Sequence, residues 1–191
     1  MKHPDHIDGK RIRLRPAVLA DRWPIFRGLA RSDVTDILLG HPSQTSTPLL
    51  SFDDFCDDYR QYFFDDSKPE GGRCFVIEVD DQAMGQVNYG DIDRGRSRTE
   101  LDIWMFGEQY CGHGYGSEAL SLLCDYLQSR LDVGGFYIKP SGSNRRAIRC
   151  YEKAGFRRSA LPDEEASREY GPKDSLDTVY MTRNIERRHT S

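Results

Sequence analysis

The segment Gln109-Tyr-Cys-Gly-His-Gly-Tyr-Gly-Ser-Glu-Ala-Leu120 organises this chain. Gly112, Gly114 and Gly116 alternate just ahead of an amphipathic run. In that run Ala119, Leu120, Leu122, Leu123, Tyr126, Leu127 and Leu131 recur at spacings of three and four. The spacing predicts a helix from about Ser117. Upstream, Thr99 to Phe106 alternates polar and apolar residues, the pattern of a strand. Strand, glycine-rich turn and helix in this order have a chemical consequence. Glycine lets backbone approach a ligand closely, and the first N–H groups of a helix have no partner within it. With the positive end of the helix dipole, those donors suit a phosphate. A tight connection without a ligand would give the same local pattern. A Walker loop is excluded because no Lys-Ser/Thr pair follows, and the glycine spacing departs from the dinucleotide fingerprint.

On either side the pattern is that of an α+β domain. Lys10 to Arg15 alternates and reads as a first strand, and helical spacing runs from Leu19 to Ala30 with Trp23, Phe26, Leu29 and Ala30 on one face. His41 to Leu50 reads as a loop. Ser51 is an N-cap candidate for a helix carrying Phe52, Phe55, Tyr59, Tyr62 and Phe63. Six aspartates, among them Asp57 and Asp58, fall between Asp53 and Asp66. They form either a solvated face or an acidic wall that attracts a cationic substrate. Cys74–Val79, Ala83–Tyr89 and Thr99–Phe106 make a meander. Phe136 to Lys139, Phe156 to Ala160 and Leu176 to Asn184 are further strands, with a helix from Arg145 to Ala154 ended by Gly155. Met1 to Gly9 and the tail from Glu186 read as loose.

The 191 residues fit a single domain with its core over about residues 10–184. No apolar run approaches a membrane span, and no signal-peptide pattern is expected at the start. Five cysteines without metal spacing suggest reduced thiols, hence a cytoplasmic protein, and no metal site is expected. The net charge of −4 argues against nucleic acid as partner.

A second signature is Asn144-Arg-Arg-Ala-Ile-Arg-Cys-Tyr-Glu-Lys-Ala-Gly-Phe156. Ala147, Ile148, Tyr151 and Ala154 form one face of a short helix. Together with Gly112-x-Gly-x-Gly116 it resembles the GCN5-related N-acetyltransferases, both motifs standing in that family's order. Cys111 departs from the Arg or Gln that usually begins the family's loop. The resemblance implies a mixed, mostly antiparallel sheet splayed into a V and flanked by helices, with acetyl-CoA lying in the V. Pantetheine would pair with backbone at Ile103, Trp104, Met105 and Phe106. The pyrophosphate would sit on the loop Cys111, Gly112, His113, Gly114, Tyr115, Gly116 and Ser117. Asn144 and Ala147 would border the pantetheine arm. Tyr151 matches the tyrosine that protonates the departing CoA thiolate in many members, although it also fits a packed aromatic.

Such a reaction needs an uncharged amine, and amines in water are mostly protonated near neutral pH. A carboxylate can take that proton. In the Thr99–Phe106 strand, Glu100, Asp102 and Trp104 share one face, expected to meet the acceptor, while Leu101, Ile103 and Met105 share the core face. Asp102 is the carboxylate nearest the strand bulge at which the resemblance places the thioester. An exposed strand acid would look the same. Ribosomal-protein N-terminal acetyltransferases often read Glu-Ile-Gly-Tyr-Trp here, whereas this chain reads Glu100-Leu-Asp-Ile-Trp104. The Asp, its distance from Gly116, the last helix and Leu161-Pro-Asp-Glu-Glu165 are similar to aminoglycoside 6′-N-acetyltransferases. The resemblance therefore implies a small polycationic amine as acceptor. It marks no acceptor residues in the N-terminal third, where the acidic-wall reading alone would add Asp57 and Asp58 as contacts. A Ser/Ala-specific protein N-terminal acetyltransferase and a non-catalytic acyl-CoA-binding module are the alternatives. A monomer or homodimer is expected.

Overall fold

β-branched and aromatic residues build one sheet whose central strands are buried on both faces. A computed structural model describes residues 4–34, 50–160 and 178–184. Its strands are β1 (Ile7–Asp8), β2 (Arg13–Pro16), β3 (Arg73–Val79), β4 (Gln82–Tyr89), β5 (Arg98–Met105), β6 (Gly135–Ile138), β7 (Arg157–Arg158) and β8 (Met181–Asn184). They form one sheet in the order β1-β2-β3-β4-β5-β6-β8-β7. All pairings are antiparallel except β5 with β6. The α-helices are α1 (Arg22–Ala30), α2 (Phe52–Asp58), α3 (Tyr115–Leu131) and α4 (Arg145–Lys153). Among the described residues no helix is long and apolar enough to cross a membrane.

Strand β3 shows why both sheet faces are covered. Phe75 and Ile77 point into one apolar cluster, and Cys74 and Val76 into the other. The first cluster lies under α3 and α4, where Leu120, Leu123 and Leu127 are fully buried. Each such leucine is worth about 1.5–3 kcal/mol in transfer free energy. The second lies under α1 and α2 and contains Ile25, Phe26, Phe55, Phe63 and Trp104.

The parallel pair β5–β6 is short. It joins Arg98, Thr99 and Glu100 to Gly135, Phe136 and Tyr137, and no β6 pairing continues past Glu100. On its other edge β5 stays paired to β4 from Leu101 to Met105. The sheet therefore opens beside the second half of β5, which is the expected V.

Several boundaries differ from the expectation. The segment expected to be loose contributes β1, because Ile7 and Asp8 pair with Leu14 and Arg13. Helix α3 begins at Tyr115, two residues before Ser117, because Gly114 adopts φ 85° and turns the chain directly into the helix. The Ser117 hydroxyl donates to Gly114 O at 3.0 Å rather than capping a later start. The helix after Ser51 stops at Asp58, and a separate 3-10 turn, Gln61–Phe64, carries Tyr62 and Phe63. Trp23 is half exposed, while Ile25 replaces it in the buried face of α1. The strand bulge expected near Asp102 is absent, since the β4–β5 register runs without a shift. A shift occurs instead in β3 between Ile77 and Glu78. Most of the loop expected over His41 to Leu50, the Leu161–Glu165 stretch and the tail from Glu186 lie outside the described residues.

Candidate active site

Two cavities open where β5 and β6 part. The first, about 320 Å³, is lined by β5, the glycine loop and α4. Its floor is set by local sequence. Gly114 is the N-cap of α3, and the first bond of that helix runs from Glu118 N–H to Gly114 O at 3.2 Å. The N–H groups of Tyr115, Gly116 and Ser117 precede that bond and have no carbonyl within the helix to donate to. A Cβ at Gly116 would stand 3.1 Å from Cys150 Sγ, so glycine is what lets α3 and α4 approach here.

Arg11 locks this loop from below. Its Nη1 donates to His113 O at 2.7 Å, and its backbone N–H and Nε donate to the Glu118 carboxylate at 2.9 Å each. Burial of Glu118 opposes ionisation, but the donors from Arg11 and Lys10 outweigh it and hold the carboxyl below its ordinary value. The arrangement turns loop carbonyls toward Arg11. On the opposite wall, Arg146, Arg149 and Lys153 of α4 line the cavity. Arg146 is occupied by Glu108, with Nη2 2.8 Å from Oε2.

The second cavity, about 430 Å³, is lined by Tyr59, Asn88, Glu100, Asp102, Lys139 and neighbouring backbone. Ile103, Asn144 and Tyr151 line both cavities and mark their junction. Asn144 caps α4, its Oδ1 accepting from Ala147 N–H at 3.0 Å, which leaves its amide N–H₂ as a donor. Tyr151 is buried, and that burial, followed by the charge of Asp102, raises its hydroxyl far above the ordinary phenol value.

Asp102 is open to solvent through the cavity mouth, yet protein crowds its other sides. That desolvation raises its pKa. The Ile103 N–H donating to Oδ1 at 2.8 Å, the Tyr59 hydroxyl at 3.2 Å from Oδ2 and the charge of Lys139 all pull it back. Glu100 is engaged by Lys139, whose Nζ lies 3.0 Å from Oε2. The arrangement joins a phosphate-suited loop to a cleft in which the Asp102 carboxylate lies with two phenols, Tyr59 and Tyr151.

The acetyltransferase (GNAT) domain model matches residues 11–157, well over half the chain. The chain belongs to the GNAT acetyltransferase family. Spermidine N(1)-acetyltransferase of Escherichia coli (strain K12) is 30% identical over 109 residues, which cover 57% of this chain and 56% of that protein. Aminoglycoside N(6′)-acetyltransferase type 1 of Klebsiella pneumoniae is 47% identical over 58 residues, covering 30% of this chain and 29% of that one. The chain thus matches about half or less of the length of these relatives. The solved aminoglycoside acetyltransferase AAC(6′)-Ib in complex with coenzyme A has the same fold. Its TM-score is 0.66 at 20% identity, covering 91% of this chain and 94% of that one.

Within the GNAT frame, Ile103, Met105, Cys111, Gly112, Gly114, Tyr115, Gly116, Ser117, Asn144, Ala147 and Tyr151 all line the first cavity. Four expectations shift. The His113 side chain does not line it; its Nε2 bonds Gln109 O at 3.0 Å. The Phe106 side chain packs in the α1–α2 cluster and its N–H donates to Met84 O. Trp104 lines the first cavity with its β5 neighbours, as expected for the cofactor side, but it does not line the second: its side chain is only 3% exposed and its Nε1 donates to Ile25 O at 3.3 Å. Alternation identifies the face of a strand but not which of its residues a helix covers. Trp104 packs against α1, whereas Glu100 and Asp102 line the second cavity. Asp57 and Asp58 are exposed and line neither cavity. Tyr59, Asn88, Lys139, Arg11, Arg149 and Lys153 were not singled out from sequence. The expected aromatic face of the Ser51 helix included Tyr59, but nothing local marked its hydroxyl as facing β5.

Proposed function

We propose that this protein transfers an acetyl group from acetyl-CoA to a primary amine of a small polycationic acceptor, an aminoglycoside 6′-amine being the first candidate. The observation that carries the reading is the shared wall of Ile103, Asn144 and Tyr151, with Asp102 just beyond it in the second cavity. Acetyl-CoA supplies the acetyl thioester. The amides of Tyr115, Gly116 and Ser117 would hold its pyrophosphate, and Arg149 and Lys153 offer cations to its other phosphate. The Asn144 amide would donate to the pantetheine arm. Ile103 N–H is already taken by Asp102, so β5 offers fewer free donors than a bare strand edge.

Asp102 would accept the proton of the incoming ammonium, leaving the nitrogen lone pair free to attack. Its raised pKa makes it a better base than an ordinary aspartate. Tyr151 would return a proton to the departing thiolate, and its raised pKa keeps it protonated until then. A polyamine acceptor is the second reading, favoured by the spermidine acetyltransferase relative. A non-catalytic acyl-CoA module would have no use for a basic carboxylate and a protonated phenol at one junction.

The test is CoA-thiol release by the purified protein with kanamycin, spermidine and a Ser-starting peptide. Release with a polycationic amine is expected. Release with the peptide alone would overturn the acceptor assignment and leave the cofactor assignment standing.

A further inference from the structure

Among the described residues, Tyr59 is the one aromatic hydroxyl lining the second cavity that acetyl transfer, as set out above, leaves without a task. Its ring is fixed by packing. It stacks on Phe55 at 4.7 Å and meets Trp104 edge-on at 5.7 Å between centroids. Its backbone is fixed too. Helix α2 ends at Tyr59, which has φ −99° and ψ 72°. Arg22 Nη2 donates to the carbonyls of Cys56 and Tyr59, satisfying acceptors that a helix end leaves open. The hydroxyl therefore reaches β5 along a constrained path.

There it has two acceptors, Asp102 Oδ2 at 3.2 Å and Asn88 Oδ1 at 3.4 Å. A phenol carries one proton. Asn88 Oδ1 already accepts from the fully buried Gln86 through Nε2 at 2.9 Å, and an ionised acceptor makes the stronger bond. The proton therefore goes to Asp102. Each oxygen of Asp102 then holds one protein donor, Ile103 N–H on Oδ1 and Tyr59 on Oδ2. The remaining lone pairs are left for an incoming ammonium.

We propose that Tyr59 is a positioning residue for amine deprotonation, fixing the Asp102 carboxylate and setting the pH at which it can accept a proton. This rests on Asp102 being the base. The groups around Asp102 are Tyr59 at the end of α2, Tyr151 of α4, Lys139 after β6, Glu100 of β5 and the buried Cys74 thiol of β3, with Asp58 acting on Tyr59. Burial, and then the Asp102 charge, hold the Tyr59 hydroxyl well above the ordinary phenol value, so it remains a donor through the neutral range. Its bond is made to the ionised carboxylate. Removing it must raise the pKa of Asp102 and shift the acid limb of activity to higher pH.

Tyr59→Phe keeps the ring and deletes the hydroxyl. The acid limb of kcat/KM against pH should move up by roughly half a unit or more, the size of one hydrogen bond. Activity should recover above the limb, and KM for acetyl-CoA should not change. In an Asp102→Asn background the same substitution should add nothing. Replacing Tyr59 site-specifically with a fluorotyrosine, a more acidic and nearly isosteric donor, should move the limb down and provides the test if Tyr59→Phe fails to fold. An unmoved limb, or a uniform loss of activity at every pH, would overturn the role of Tyr59 while an inactive Asp102→Asn protein kept the base. A fully active Asp102→Asn protein would instead overturn the base itself.

Discussion

The two cavities that meet at Asn144 and Tyr151 are built in opposite ways. On the proposed reading, the first would recognise its ligand mainly through backbone, the amides at the head of α3, arranged by Gly114 and clamped by Arg11 and Glu118, with Asn144, Arg149 and Lys153 added from α4 and its N-cap. The second would do so through side chains brought in by α2, β4, β5 and β6. Backbone donors do not titrate and survive most substitutions around them. Side-chain groups depend on ionisation and on what covers them. Acetyl-CoA affinity should therefore be nearly flat with pH, whereas acceptor turnover should follow the state of Asp102. Among the described residues lining the second cavity, Glu100 is paired with Lys139, and Asp102 is the other carboxylate.

The sharpest way to break this contrast is Tyr151→Phe, which removes a proton donor from the shared wall without altering the loop. A fall in kcat of about 10²–10⁴-fold is expected, with acetyl-CoA affinity by calorimetry unchanged. Unchanged kcat would return Tyr151 to the role of a packed aromatic. Gly114→Val probes the backbone side. At φ 85° a β-branched residue is strained, and its Cβ would stand 3.0 Å from Arg11 Nη2. Acetyl-CoA Kd should rise about tenfold, given a strain on the order of 1–3 kcal/mol, while the acid limb of the pH profile stays in place. The smallest effect is expected from Asp57→Asn with Asp58→Asn. Both side chains are exposed and line neither cavity, so the acceptor KM should rise less than about twofold and the change should vanish at high salt. A larger KM effect, with kcat unchanged, would restore the acidic segment as an acceptor wall.

The same contrast explains what could be read from sequence. The glycine loop is local. Its glycines, the strand before it and the helix after it lie within one stretch, and Asn144 precedes its own helix in the same way. The acceptor side is assembled over long separations. Tyr59 meets Asp102 across 43 positions. The glycine loop has one such contact too, its clamp of Arg11 on Glu118 across 107 positions. Periodicity placed Asp102 on the correct face of β5. It placed Trp104 there too, since nothing in the spacing says that α1 packs on Trp104. The acidic run around Asp57 and Asp58 drew attention by composition, and composition carries no direction.

The most direct test of the account is steady-state kinetics of Asp102→Asn over a range of acetyl-CoA concentrations with a polycationic acceptor. The account predicts a kcat lower by about 10²–10⁴-fold with an unchanged KM for acetyl-CoA, since the carboxylate serves the acceptor and the cofactor cavity is made of other groups. An unchanged kcat, or a loss confined to acetyl-CoA KM, would contradict it.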